Sequence, residues 1–175
     1  VQTCALPISS EPLKNILFRH KSNLQYTGID ESFVGKPSFS TGAAYADFDA
    51  DDDLDMVINN NNEKAIFFDN KQQQVQPAHY VQLQLEGIGH NLQAIGATVR
   101  LWSDSYMQQQ TLFPYRGFQS ASQPLLHFGL GTSATIDSIQ VQWPDGNTTH
   151  YVQPPVDSLL VLAEDDLPGQ QPHHR

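Results

Sequence analysis

The sequence predicts an all-β fold in two units, and three observations carry that expectation. Short apolar runs separated by turn-forming residues recur about every ten residues, a spacing that suits strands and hairpins better than helices. Several segments of the C-terminal half alternate apolar and polar residues, the period of a strand with one buried face. Eleven glycines and eleven prolines in 175 residues, against two methionines, supply many breaks.

At the N-terminus, Val1-Gln2-Thr3-Cys4-Ala5-Leu6-Pro7-Ile8 resembles the translation of a sequencing-library adapter, so residues 1–11 are expected to be an artefact or disordered, with the natural protein beginning upstream. An ordinary extended N-terminal segment is the alternative, and Cys4 carries no argument about redox compartment. Between Pro12 and Asn70 the strand-sized runs are Ile16-Leu17-Phe18, Leu24-Gln25-Tyr26, Ala43-Ala44-Tyr45, Leu54-Asp55-Met56-Val57-Ile58 and Ala65-Ile66-Phe67-Phe68. Pro12 to His20 also fits a turn or two of helix. Residues 71–77, polar, aperiodic and closed by Pro77, read as a linker.

Residues 78–164 form the second unit. Val81-Gln82-Leu83-Gln84-Leu85-Glu86, Ala97-Thr98-Val99-Arg100-Leu101 and Ile139-Gln140-Val141-Gln142-Trp143 alternate, while Leu159-Leu160-Val161-Leu162 reads as a more buried strand. Pro144-Asp145-Gly146 supplies a tight turn. Roughly seven strands in this length suit an antiparallel sandwich or a barrel-like domain. The tail, residues 165–175, has two prolines and a glycine and is expected to be disordered.

Charge narrows the function classes. Nineteen acidic against nine basic residues give a net charge of −10, which opposes phosphate backbones and anionic lipid heads. No apolar run approaches the roughly 18 residues of a spanning helix. Nucleic acid and membrane insertion are therefore not expected. The acidity is local: six of the nineteen acids lie between Asp47 and Asp55, whereas from Gln72 onward there are eight acids, three arginines and no lysine.

Asp47-Phe48-Asp49-Ala50-Asp51-Asp52-Asp53-Leu54-Asp55 places carboxylates at relative positions one, three, five and nine, where alternate side chains of an extended or turning loop point the same way. Calcium takes six to eight oxygen ligands in irregular geometry, so three or four carboxylates, a backbone carbonyl and a water satisfy it. Magnesium fits less well because it holds its waters. Without a cation these charges repel, so folding is expected to be cation-linked. The loop is not an EF-hand, because the twelfth position from Asp47 is Ile58 rather than glutamate and strands flank it. A solvated acidic turn is the plain alternative, but the alternating spacing running directly into Met56-Val57-Ile58 speaks against it.

Gly42-Ala43-Ala44-Tyr45-Ala46 followed by this loop and Met56-Val57 resembles an FG-GAP/VCBS repeat, the calcium-loop blade of integrin-like β-propellers. Leu17-Phe18-Arg19 and Ala65-Ile66-Phe67-Phe68-Asp69-Asn70 resemble the blade's other strands. The resemblance implies a C-terminal propeller-type blade fragment over residues 12–70, with calcium on Asp47, Asp49, Asp51 and Asp55 and on the backbone carbonyl of Asp53. Asp52 stands where the family usually has glycine, at a position needing left-handed backbone. Ala94-Ile95-Gly96-Ala97-Thr98-Val99-Arg100-Leu101, Arg116-Gly117-Phe118-Gln119-Ser120, Leu126-His127-Phe128-Gly129-Leu130-Gly131 and Val141-Gln142-Trp143-Pro144-Asp145-Gly146 resemble, in order, an ASPIC/UnbV domain, as in cartilage acidic protein-like and bacterial secreted proteins. That resemblance implies an extracytoplasmic setting, secreted or at the cell surface.

Other motifs weigh less. Gly129-Leu130-Gly131-Thr132-Ser133-Ala134 has dinucleotide-fingerprint spacing, but an alternating strand rather than a helix follows, so the glycines read as a turn. His127, with Ser120, Ser122, Asp137 and Asp145 within folding reach, reads as a half-buried structural histidine rather than a catalytic base, since no G-x-S-x-G elbow is present. Arg100 and Arg116 are expected to close internal salt bridges, with the clamping of an anionic group as the alternative. Trp102, Tyr106, Phe113, Tyr115, Phe118 and Trp143 are assigned by default to the core, with a glycan platform as the alternative. The sequence thus points to a calcium-binding extracytoplasmic binding, adhesion or scaffold module rather than an enzyme. Its expected partners are a glycan or protein ligand and upstream blades of the same chain. An accessory domain of an extracellular hydrolase and a purely structural stalk are the alternatives.

Overall fold

The structure, a computed structural model, describes residues 11–20, 25–28, 36–51, 53–104, 106–115, 117–165 and 172–174. The adapter-like Val1–Ile8, Asp52 and Arg116 lie outside them. The architecture is all-β, with a single helical turn among the described residues.

The first unit contains two small sheets. β1 (Phe18–His20) pairs antiparallel with β2 (Tyr26–Gly28), and β3 (Ser40–Ala46), β4 (Asp55–Asn60) and β5 (Ile66–Phe68) form an antiparallel meander. Ile58, Asp55 and Asn60 are the buried residues of β4. The aspartates occupy the β3–β4 turn. Two expectations change here: Pro12 to His20 is not helical, and Leu17-Phe18-Arg19 does not join the meander, because β1 pairs in its own sheet. The edge of β3 that such a strand would use is taken by the second unit. Gly42 bridges Gly117, and the Tyr45 N–H donates to Ser122 Oγ at 3.2 Å. The approach demands a glycine, since a Cβ on Gly42 would collide with Ser120 Oγ and lie 2.8 Å from the Phe118 carbonyl oxygen.

Residues 71–77 contain a helical turn, α1 (Gln72–Val75), whose Gln73 side chain brackets Ala78: Nε2 donates to its carbonyl at 2.8 Å and Oε1 accepts its N–H at 3.3 Å. Seven strands then build a sandwich: β6 (His79–Glu86), β7 (Thr98–Ser103), β8 (Tyr106–Thr111), β9 (Leu125–Gly131), β10 (Ser138–Gln142), β11 (Thr148–Val152) and β12 (Leu159–Ala163). One sheet runs β11-β10-β7-β8; in the other β6 lies between β12 and β9. Alternation decides the faces. Val81, Leu83 and Leu85 of β6, Leu126 and Phe128 of β9, and Leu160 and Leu162 of β12 meet Val99, Leu101, Ile139, Val141 and Tyr151 in one buried core. Trp143 closes it, 2% exposed, with Nε1–H donating to the buried Thr149 Oγ1 at 2.8 Å. The two sheets share no strand, so the unit is a sandwich and not a barrel.

Four further expectations are corrected. The β12–β6 pair is parallel, because the last strand returns beside the first across the sandwich. Disorder is not what the described end of the tail shows: β13 (His173–His174) pairs antiparallel with Leu160 and Val161, covering backbone groups on the outer edge of β12 that would otherwise lack partners. Gly129 and Gly131 are not a free turn but the bulged end of β9, where the register against His79 and Tyr80 shifts. Of the six aromatics assigned to the core only Trp143 is fully buried. Trp102 is half-buried, and Tyr106, Phe113, Tyr115 and Phe118 are exposed, at 74%, 51%, 64% and 49%. Tyr106 lies on the edge strand β8 and the other three on the loop after it, where no second layer of described residues covers them.

Candidate metal centre

The β3–β4 turn brings three of the five aspartates together. One carboxylate oxygen each from Asp47, Asp49 and Asp55 lie within 4.8 Å of one another. Calcium–oxygen contacts of about 2.3–2.6 Å place two ligands of one ion at most about 5 Å apart, so these oxygens can share an ion without rearranging the chain. Asp55 anchors the set: it is 1% exposed, its Oδ2 accepts the Phe48 N–H at 3.1 Å and its Oδ1 accepts the Asn70 N–H at 2.9 Å. Asp47 Oδ1 accepts the Asp51 N–H at 3.2 Å, closing the turn.

Asp51 and Asp53 stand outside the triad. Ala50 adopts left-handed backbone, φ 59°, and from there the alternation of an extended strand no longer decides which way a side chain points. Asp53 is 5% exposed and its Oδ2 accepts the Gln73 N–H at 2.8 Å, which ties the turn to α1. Asp51 Oδ1 accepts the Asp53 N–H at 3.1 Å. Its Oδ2 is out of solvent with no hydrogen bond, although 24% of the side chain remains exposed, and Lys71 Nζ stands 3.7 Å away. Three converging carboxylate oxygens are a donor set that a hard cation takes, and Asp51 Oδ2 on the same loop keeps an acceptor without a hydrogen bond.

Lys71 was not singled out by its sequence position, yet it is the counter-charge of the loop. Its Nζ lies 2.7 Å from Asp69 Oδ1, 3.3 Å from Asp49 Oδ2 and 3.7 Å from Asp51 Oδ2. The bond to Asp69, and then that to Asp49, holds its pKa well above the usual lysine value. Partial desolvation pushes the Asp49 carboxyl up, but the hydrogen bond and charge of Lys71 outweigh it, and its pKa ends below the ordinary range. Asp51 ends above that range. The Asp53 N–H lowers it, while desolvation and the charges of Asp49 and Asp53 together win. The only available signal for Lys71 was a lysine directly after Asp69-Asn70, at the end of the strand that flanks the loop.

The remaining candidates disperse. His127 lies on the outer face of β9 with its ring stacked on Tyr80, centroids 5.5 Å apart and planes 6° apart. Ser122 Oγ is engaged by Tyr45, Ser120 Oγ donates to the Phe118 carbonyl at 3.0 Å, and Asp145 caps the turn at Asn147. Arg100 closes no salt bridge among the described residues; it donates to Gln109 Oε1 at 2.8 Å and Gln140 Oε1 at 3.4 Å, flat across the sheet. After Gly131 the chain runs on to the strand β10 rather than opening a helix, so no dinucleotide fingerprint forms there.

No helix among the described residues is long and apolar enough to cross a membrane. No curated protein matches the chain. Part of the chain does match a known family: residues 87–168, from the loop after β6 to just past the end of β12, fit the family model described as ASPIC and UnbV.

Proposed function

We propose that the chain is a calcium-binding module of an extracytoplasmic protein that binds or scaffolds rather than catalyses. The observation that carries this reading is the convergence of one carboxylate oxygen each from Asp47, Asp49 and Asp55 within 4.8 Å. An all-oxygen donor set in an irregular turn suits calcium better than zinc, which takes nitrogen and sulfur, or magnesium, which demands a regular octahedron. The ASPIC and UnbV match supports an extracellular or accessory role. Calcium is also abundant outside cells, where sites of modest affinity are occupied. The motif resemblance supports reading β3 to β5 as a blade of the FG-GAP/VCBS type.

In this reading calcium neutralises the loop and fixes the strands it joins, while surfaces of the two units contact a partner. Calorimetry and thermal melting with calcium and with chelator test it. Binding heat is expected, and the melting transition of the first unit should rise by several degrees, since free calcium at a hundred times its Kd stabilises by about 2.7 kcal/mol. Asp49→Ala is expected to abolish most of both. An unchanged melting temperature with no heat overturns the metal reading. A structural stalk would show the same stiffening without any ligand, and a glycan array separates the two.

A further inference from the structure

We propose that the cleft between the aspartate loop and the outer face of β6 and β9 is a binding site for a neutral oligosaccharide. The proposal names a ligand class for the binding module and rests on that reading, but not on the metal. Two cavities, of about 240 and 500 Å³, lie side by side along this face and share Gln84, Gln123 and Leu125 as walls. Together they are within the size range of small-molecule sites.

The sheet explains the lining. The residues that alternate with the core of β6 face outward, so Gln82 lies opposite His127 on β9 and Leu159 on β12, and Gln84 lies opposite Leu125. Tyr45 and Asp47 close one end from the first unit. The Gln82 and Gln123 side-chain amides make no hydrogen bond to the described residues.

The chemistry selects the occupant. The Gln82 and Gln123 amides each offer both donors and an acceptor, the pattern that pairs with vicinal hydroxyls. Leu125, Leu159 and the Tyr45 ring add apolar surface for the carbon faces of a sugar. Among the described residues no lysine or arginine lines either cavity, whereas Asp47 and Glu86 do, and the chain carries −10. Phosphorylated, sulfated and sialylated ligands are therefore repelled. β6 is paired on both sides in its sheet, so its backbone offers an extended peptide no free edge in the groove.

The test titrates cellotetraose, mannotetraose and chitotetraose into the full chain, in calcium and in chelator. Binding is followed by calorimetry and by the side-chain amide resonances of the glutamines. Saturable binding of at least one tetraose is expected, with Gln82 and Gln123 amide signals shifting. Gln82→Ala and Gln123→Ala should each weaken it about tenfold without altering the melting temperature, while Gln142→Ala, exposed on the opposite sheet, should leave it unchanged. The proposal is overturned if no tetraose saturates, if the Gln82→Ala/Gln123→Ala double variant binds as tightly as the parent, or if only a sulfated tetrasaccharide or an uncharged serine-glycine hexapeptide binds. Calcium-dependent melting without tetraose binding removes this proposal and leaves the metal reading standing; tetraose binding without a calcium effect does the reverse.

Discussion

Ala50 holds the aspartate loop in left-handed backbone, where an L side chain costs about 1–2 kcal/mol. Ala50→Gly removes that strain and gives back part of it as lost chain entropy, so a net gain of about 0.5–1 kcal/mol is expected. Chemical denaturation in chelator reads it; a loss of stability would mean that the methyl group makes a contact worth more than the strain. Lys71 pairs with Asp49 and Asp51, and under the proposed calcium reading it competes with the ion for them. Lys71→Met is expected to destabilise the calcium-free protein, whose carboxylates lose their counter-charge, and to tighten calcium binding about threefold, since the ion no longer approaches an ammonium group. Calorimetry that finds weaker calcium binding in Lys71→Met would show that the lysine helps to hold the carboxylates in place. The aspartates themselves were legible because acidic residues at alternate positions have few other uses. Which of them converge was not, since parity assumes an extended chain and the chain turns at Ala50. Lys71 was hidden because its role depends on where β5 delivers it, which no local pattern encodes.

Strands with one apolar face declared themselves, and strands without one did not. β6, β7 and β10 alternate cleanly and lie where alternation put them, and β12 is the apolar run it was read to be. β8 escaped notice because Gln108, Gln109 and Gln110 give it two polar faces at the edge of its sheet. Those amides have work at that edge: Gln108 Nε2 donates to the Gly129 carbonyl and Gln110 Nε2 to the His127 carbonyl, at 2.8 and 2.7 Å. They cover acceptors on the free edge of β9 that would otherwise template another chain. The Gln108→Ala/Gln110→Ala double variant is expected to self-associate with rising concentration, visible by light scattering or sedimentation, while the parent does not. A variant that remains as monodisperse as the parent would show that the β9 edge is protected by something else. β13 went unread for a related reason, since a pair of histidines becomes a strand only because β12 offers an edge.

At the scale of the molecule, the charge of −10 is two separate facts, a neutralisable loop and an acidic but sparsely charged sandwich. The sandwich core draws on no residue before Val81, so its stability should not depend on calcium. The first unit has little core of its own, with Ile58 its one buried hydrophobic side chain among the described residues. It leans instead on the loop and on the β3 edge. Hydrogen bonds link the loop to the sandwich through Asp53 and Gln73 and then Ala78, directly before β6. Under the proposed calcium reading, a loop held rigid by the ion braces the junction, whereas a self-repelling one pulls on it. Scanning calorimetry should show one cooperative transition in calcium. In chelator it should show two, with the sandwich transition unmoved and an earlier, smaller one for residues 36–70. Gly42→Val, which drives a side chain into Ser120 and the Phe118 carbonyl, should produce the same splitting even in calcium, because it separates the β3 edge from the second unit without touching the aspartates. If Gly42→Val melts in one transition at the parent's temperature, the β3 edge contributes nothing to the coupling and the loop alone carries it.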